Sequence, residues 1–140
     1  MYQKILVPIS GKTQGERARA SLNQAIRLCS GDITLLHVVN PVSQMLSGNA
    51  HSEIQHEEQA RGQTLLSPHA AMLEKAHIPH SWRVVEGTPA ETIVRVSHEI
   101  NADLIVMYTD GRDDLGDMLL GSITERVLRT VDINLLAVRR

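Results

Sequence analysis

SWRVVEGTPAETIV, residues 81–94, packs a strand, a turn and a helix start into one short stretch. SWRVVE (81–86) is of strand length and apolar on successive positions, the pattern of a parallel strand covered on both faces. Gly87 breaks it. Thr88, Pro89 and Glu91 then stand as N-cap, N1 and N3 of a capping box, with the fixed φ of proline suited to a first helical turn. A strand feeding directly into a capped helix is the building step of a βαβ unit.

The same step recurs in both directions along the chain. KILVPI (4–9), DITLLHVV (32–39), DLIVMY (103–108) and NLLAVR (134–139) are further apolar runs of strand length. In 14–30, Ala18, Leu22, Ala25, Ile26 and Cys29 repeat at the spacing of one helix face. A second helix over 52–76 carries Ile54, Leu65, Leu66, Met72, Leu73 and Ala76, and Pro68 is expected to kink or split it near Ser67. Ser122 and Glu125 repeat the capping box for a fourth helix, whose apolar face is Ile123, Val127, Leu128 and Val131. The order β-α-β-α-β-α-β-α-β predicts an α/β fold, a parallel sheet with helices on both faces, because right-handed crossovers place them there. The segment 40–51 is polar and turn-rich and is predicted to be a mobile loop.

At 140 residues the chain is expected to form one domain, residues 1–140. Phe is absent and there are only one Trp and two Tyr, so the core must be aliphatic. Fourteen Lys and Arg against sixteen Asp and Glu give a net charge of −2 with no basic block, which argues against nucleic acid as a partner. No apolar stretch approaches the roughly 18 residues of a membrane span, and the N-terminus lacks the pattern of a secretory leader. The lone Cys29 rules out an internal disulfide and reads as a small buried hydrophobe on a helix. A reducing cytoplasm is the expected location.

Several chemistries fit poorly. Gly11-Lys12-Thr13 follows a strand as a Walker A loop would, but that loop needs a glycine where Leu6 stands. The seven His lack the tight, repeated spacing of a zinc site, and His37 within an apolar strand reads as a satisfied core or sheet-end residue. No G-x-S-x-G elbow accompanies Ser10 or Ser122. Asp113, Asp114 and Asp117 read as a solvated acidic loop. No catalytic set emerges, so binding rather than turnover is expected.

One place draws independent arguments together. In a doubly wound sheet whose order begins 3-2-1-4, the direction of winding reverses between the first and fourth strands, and a ligand crevice opens beyond their carboxyl ends. Pro8, Ile9, Ser10 and Gly11 would form one lip, and Tyr108 to Gly111 the other. Gly121-Ser122 would begin the last helix there, where free N–H groups and the helix dipole attract anions.

The whole chain resembles a single-domain universal stress protein. KILVPIS matches that family's first strand, LLHVV its second, and VVEGTPAETIV its third strand and following helix. ADLIVMYTDGR matches the fourth strand and loop, and GSITERVLRTVDINLLAVRR the last helix and strand. The resemblance implies a three-layer, open doubly wound sheet of five parallel strands in the order 3-2-1-4-5. It also implies a homodimer formed by antiparallel pairing of the last strands, here Asn134 to Val138.

Family members that hold ATP do so through G-x-x-G-x(9)-G-[ST]. Gly111, nine intervening residues, Gly121 and Ser122 keep its second half, while Tyr108 stands in place of the first glycine. Ser10 stands where the ATP-binding members carry an Asp that holds the adenosine. The resemblance implies that Gly111, Gly121, Ser122 and Ile123 hold phosphates through backbone N–H groups. Val38 and Val39 would line the adenine beside Pro8, Ser10 would face the ribose, Thr124 would support the helix start and Arg112 would offset one acidic charge. A Tyr108 ring pointing into the crevice would occupy nucleotide space; one swung outward could serve as a stacking platform. The expectation is a binding module whose nucleotide site is altered and requires no cofactor, with ATP, carried with magnesium or manganese, as the alternative ligand.

Overall fold

The computed structural model describes residues 1–11, 15–41, 49–109 and 121–139, with the side chains of 49–51 left aside. Five strands, β1 (Tyr2–Pro8), β2 (Cys29–Val39), β3 (His80–Glu86), β4 (Leu104–Tyr108) and β5 (Asn134–Val138), alternate with four helices, α1 (Gly15–Leu28), α2 (Asn49–Lys75), α3 (Pro89–Glu99) and α4 (Ser122–Thr130). The sheet order is β3-β2-β1-β4-β5 and every pairing is parallel. The winding therefore reverses between β1 and β4, as the crevice requires.

The two-residue period of the strands sorts their side chains into two cores. Ile5, Val7 and Ile9 of the β1 segment, Ile33 and Leu35 of β2, and Leu104, Val106 and Tyr108 of β4 face α1 and α2, where Ala18, Leu22, Ala25, Leu66 and Leu73 meet them. Leu6, Leu36, Ile105 and Met107 face the other way, onto Ala90, Ile93, Val94 and Val96 of α3 and Val127 of α4. At the end remote from the crevice, the Asp103 carboxylate accepts the backbone N–H groups of Gln3 and Lys4, each at 2.9 Å. That clasp ties the start of β1 to the entry of β4.

Three local expectations change. Cys29 opens β2 rather than closing α1; the thiol is half-buried and burial raises its pKa, which disfavours the reactive thiolate. Helix α2 is continuous across Pro68, with no split. Pro68 is exposed, so the Thr64 carbonyl that loses its helical donor lies on the side turned to water. In the last helix the N-cap is Gly121, not Ser122, and the second capping box does not form. Gly121 lies at φ 80°, ψ 146°, a conformation essentially reserved for glycine, and the helix starts one residue sooner than the box predicts. Glu125 instead pairs with Arg129 at 2.7 Å. At α3 the predicted N-cap Thr88 and N1 Pro89 are in place, although the Thr88 side chain makes no capping bond.

Candidate functional site

Beyond the carboxyl ends of β1 and β4 lies a crevice of about 800 Å³. That is within the range of roughly 300–1,000 Å³ usual for small-molecule sites. Of the eleven residues singled out in the sequence, nine line it: Pro8, Ser10, Val38, Val39, Tyr108, Gly121, Ser122, Ile123 and Thr124. Gly111 and Arg112 lie outside the described residues, as do the rest of 110–120, Lys12, Thr13 and most of the predicted 40–51 loop.

Each wall follows from its own element. On the β1 side the strand ends at Pro8, and Ile9 continues the ladder by donating its N–H to the Leu36 carbonyl at 2.7 Å. On the β4 side strand alternation carries Tyr108 into the core facing α1 and α2, where it is 8% exposed. Its hydroxyl accepts the Ser10 N–H at 2.8 Å. The two positions that depart from the ATP-binding pattern are thus bonded to each other. The ring does not swing outward as a platform; it packs into the core facing α1 and α2, and the residue still borders the crevice.

The opposite wall is the start of α4. Glu125 N–H bonds the Gly121 carbonyl at 3.0 Å, the first helical bond, so the N–H groups of Ser122, Ile123 and Thr124 precede the repeating pattern and have no partner within the helix. They stand beside the crevice, at the positive end of the helix dipole. Gly121 makes this geometry because only a residue without Cβ takes its backbone angles cheaply.

Sequence reasoning missed part of the lining. Leu36, Asn40, Met107 and Glu125 are neighbours of predicted residues, and their period would have found some of them. Pro89 and Ile93 arrive from α3 and Glu58 from α2, and no local signal marks them. His37 also belongs to the site. Its Nδ1 lies 2.9 Å from the Ile9 carbonyl oxygen, which can only accept, so Nδ1 donates to it. Among the described residues no group of three or more His, Cys, Asp and Glu could hold a metal ion. No described helix is long and apolar enough to cross a membrane.

Comparison with known proteins agrees with this geometry. The model of the universal stress protein family matches residues 1–139. Universal stress protein MJ0531 of Methanocaldococcus jannaschii is 32% identical over an alignment covering 100% of this chain and 84% of that protein. The solved structure of MJ0577, from the same organism, superposes with a TM-score of 0.83 at 26% identity, covering 100% of this chain and 97% of that one. A universal stress protein solved in complex with cAMP has the same fold, with a TM-score of 0.70 at 21% identity and coverage of 99% and 97%. Sheet order and family match agree over nearly the whole chain, and the protein belongs to the universal stress protein family.

Proposed function

We propose that the protein is a dimeric, nucleotide-responsive binding module of the cytoplasmic stress response, acting by occupancy rather than turnover. The observation that carries this reading is the open crevice itself. The Tyr108 ring packs into the core, while the N–H groups of Ser122, Ile123 and Thr124 border about 800 Å³ of space between walls of mixed apolar and polar side chains. The cAMP complex of a relative with this fold supports a nucleotide as the class of ligand. Where ATP is that nucleotide, the α4 start suits a phosphate. The β1 side suits the ribose less well, since Ser10 lacks a carboxylate and its N–H is taken by Tyr108.

That last bond favours a second reading, a nucleotide-free interaction module whose crevice serves only the shape of the fold. A direct test separates the two. Purified protein is denatured and examined for released nucleotide, and melting is repeated with excess adenine nucleotides. Ligand at 100 times its Kd adds about 2.7 kcal/mol to stability. A flat response at millimolar concentration would leave the second reading.

The dimer is proposed through β5, and the two sheet edges support that choice. Gly87 N–H bonds the Val39 carbonyl at 2.9 Å, so by strand alternation the Val84 carbonyl points to the open edge of β3. There Gln59 of α2 covers it with a bond of 2.9 Å, and Ser81, Trp82 and Arg83 are exposed. Nothing comparable is seen at β5 among the described residues, where Leu135, Leu136, Ala137 and Val138 are all half-buried. An apolar edge of this kind needs a cover, and a second copy of the strand supplies one. Thr109 N–H bonds the Val138 carbonyl, so the Ala137 N–H faces outward. Ala137→Pro would remove that donor without touching the β4 ladder; gel filtration with light scattering should show a folded monomer, and an unchanged dimer would move the interface elsewhere.

A further inference from the structure

We infer that Glu58 of α2 sets the choice of base in the ligand, accepting a hydrogen from an exocyclic amine and disfavouring an oxo group at the same place. This rests on the nucleotide-binding reading above and names the side chain that would narrow its ligand class.

The crevice has two ends, formed from opposite faces of the sheet. At one stands the start of α4, the helix that joins β4 to β5 and packs on the α3 side. At the other stands Glu58, brought by α2 to the lining beside Val39 and Asn40, where β2 runs out. In the order β3-β2-β1-β4-β5, β2 and β4 are two strands apart, which is about 10 Å. Pro8, Ile9 and Ser10 at the end of β1 lie between them. A phosphate held by the N–H groups of Ser122 to Thr124 therefore sends the rest of a mononucleotide across β1 toward Val39 and Glu58.

A glycine puts Glu58 there. A Cβ placed on Gly62 would come within 2.7 Å of the Val84 side chain and within 3.2 Å of His37 Cδ2, so α2 lies directly on β2 and β3 at that point. Glu58 is one helical turn earlier, and the same close approach carries it over the ends of those strands. Its Oε1 accepts from Arg61 Nη1 at 3.2 Å. A carboxylate accepts at both oxygens, so this exposed pair leaves it able to accept from a ligand as well.

The space next to Glu58 continues the same chemistry. A second cavity of about 350 Å³ shares Val39 and Glu58 with the crevice. On its wall Gln59 donates Nε2 to the Val84 carbonyl at 2.9 Å, and Gln55 donates Nε2 to Glu86 Oε2 at 3.1 Å. Both amides are thus turned with their nitrogens to β3, and their oxygens are the atoms a ligand can meet. Ser52 and His56, on the exposed side, can take either role. An amine entering past Val39 finds acceptors, whereas an oxo group sets its lone pairs against those of Glu58 and gives up its bonds to water.

Calorimetric titration of the full chain with AMP and with inosine monophosphate, which replaces the base amine by an oxo group, tests the assignment. AMP should bind about tenfold more tightly. Glu58→Gln, whose amide can donate to the oxo group, should bring the two affinities within about twofold. Glu58→Ala, which removes the acceptor without adding a donor, should narrow the gap as well. Glu125→Gln, at the phosphate end, should shift both affinities together and keep their ratio. Equal affinities in the native protein, or a preference for inosine monophosphate, would overturn the inference and leave nucleotide binding intact. An AMP preference that survives both Glu58 variants would clear Glu58 of the role. Binding of neither nucleotide would remove the nucleotide reading and this inference with it.

Discussion

Both faces of the sheet bury polar side chains, Ser21 and His69 on one and Thr92, Ser97 and Thr124 on the other, but they differ in what they bring to the crevice. On the side of α1 and α2, the Tyr108 hydroxyl is buried and bonded to the Ser10 N–H, and His69 is buried with its Nδ1 unpartnered among the described residues. On the side of α3 and α4, the core closes over Leu6, Leu36, Ile105 and Met107, and the notable polar groups, the first N–H groups of α4, sit at the rim beside the crevice. The contrast teaches where each kind of change should be felt. Disturbing the first side should alter stability, and disturbing the second should alter binding.

Tyr108→Gly is the strongest way to break that contrast. It empties a well-packed site and should destabilise the fold by about 3–5 kcal/mol in denaturant unfolding, by analogy with other aromatic truncations. Were Tyr108 instead an obstacle in the crevice, the same change would cost little stability and would strengthen nucleotide binding. Gly121→Ala acts on the other face. Its backbone angles strain any residue with a Cβ, so a loss of about 1–3 kcal/mol is expected. Nucleotide affinity should fall with it, because the N–H groups of Ser122 to Thr124 would be displaced. Loss of stability with unchanged affinity would separate the α4 start from the ligand.

Tyr108→Phe is milder. It keeps the ring and removes only the acceptor of the Ser10 N–H, and should cost about 1 kcal/mol with little change in the crevice. The smallest effect sought is a pH dependence at His69. Its Nδ1 is buried without a partner among the described residues. Burial first, and the nearby Arg19 second, hold its pKa below the usual imidazole value of 6.5. A lowered pKa means that the unfolded chain binds the proton more readily. Stability from neutral His69 is therefore fully present above pH 6.5 and is lost as pH falls from there toward the folded value. Urea midpoints at about pH 7.5 and about pH 5.5 should differ in that direction, and His69→Leu should shrink the difference. A midpoint that rises on acidification would reverse the assignment.

Much of the site was legible along the chain because its signals are short-range. The alternation of apolar runs with helical spacing, the Thr88-Pro89 helix start and the Gly121-Ser122 pair each depend on a few adjacent residues. Where local chemistry offered two answers, packing chose between them. The Ser122 box lost to a glycine cap one residue earlier, because Gly121 alone could take a positive φ. Pro68 stayed inside a helix because its unsatisfied carbonyl could face water.

From residue order alone came the alternation of strands and helices and hence the fold class, since a strand or helix start is specified by neighbours within a turn or two, while the reversal of the sheet and the crevice beyond it followed from the family resemblance. Folding chose the destination of the Tyr108 ring and the Ile9 carbonyl as the partner of His37 Nδ1. The reason is distance along the chain. Tyr108 finds its hydrogen bond 98 residues away at Ser10, and Ile9 and Glu58 reach the same cavity from separate elements. No local period encodes such meetings, and they exist only once the strands are side by side.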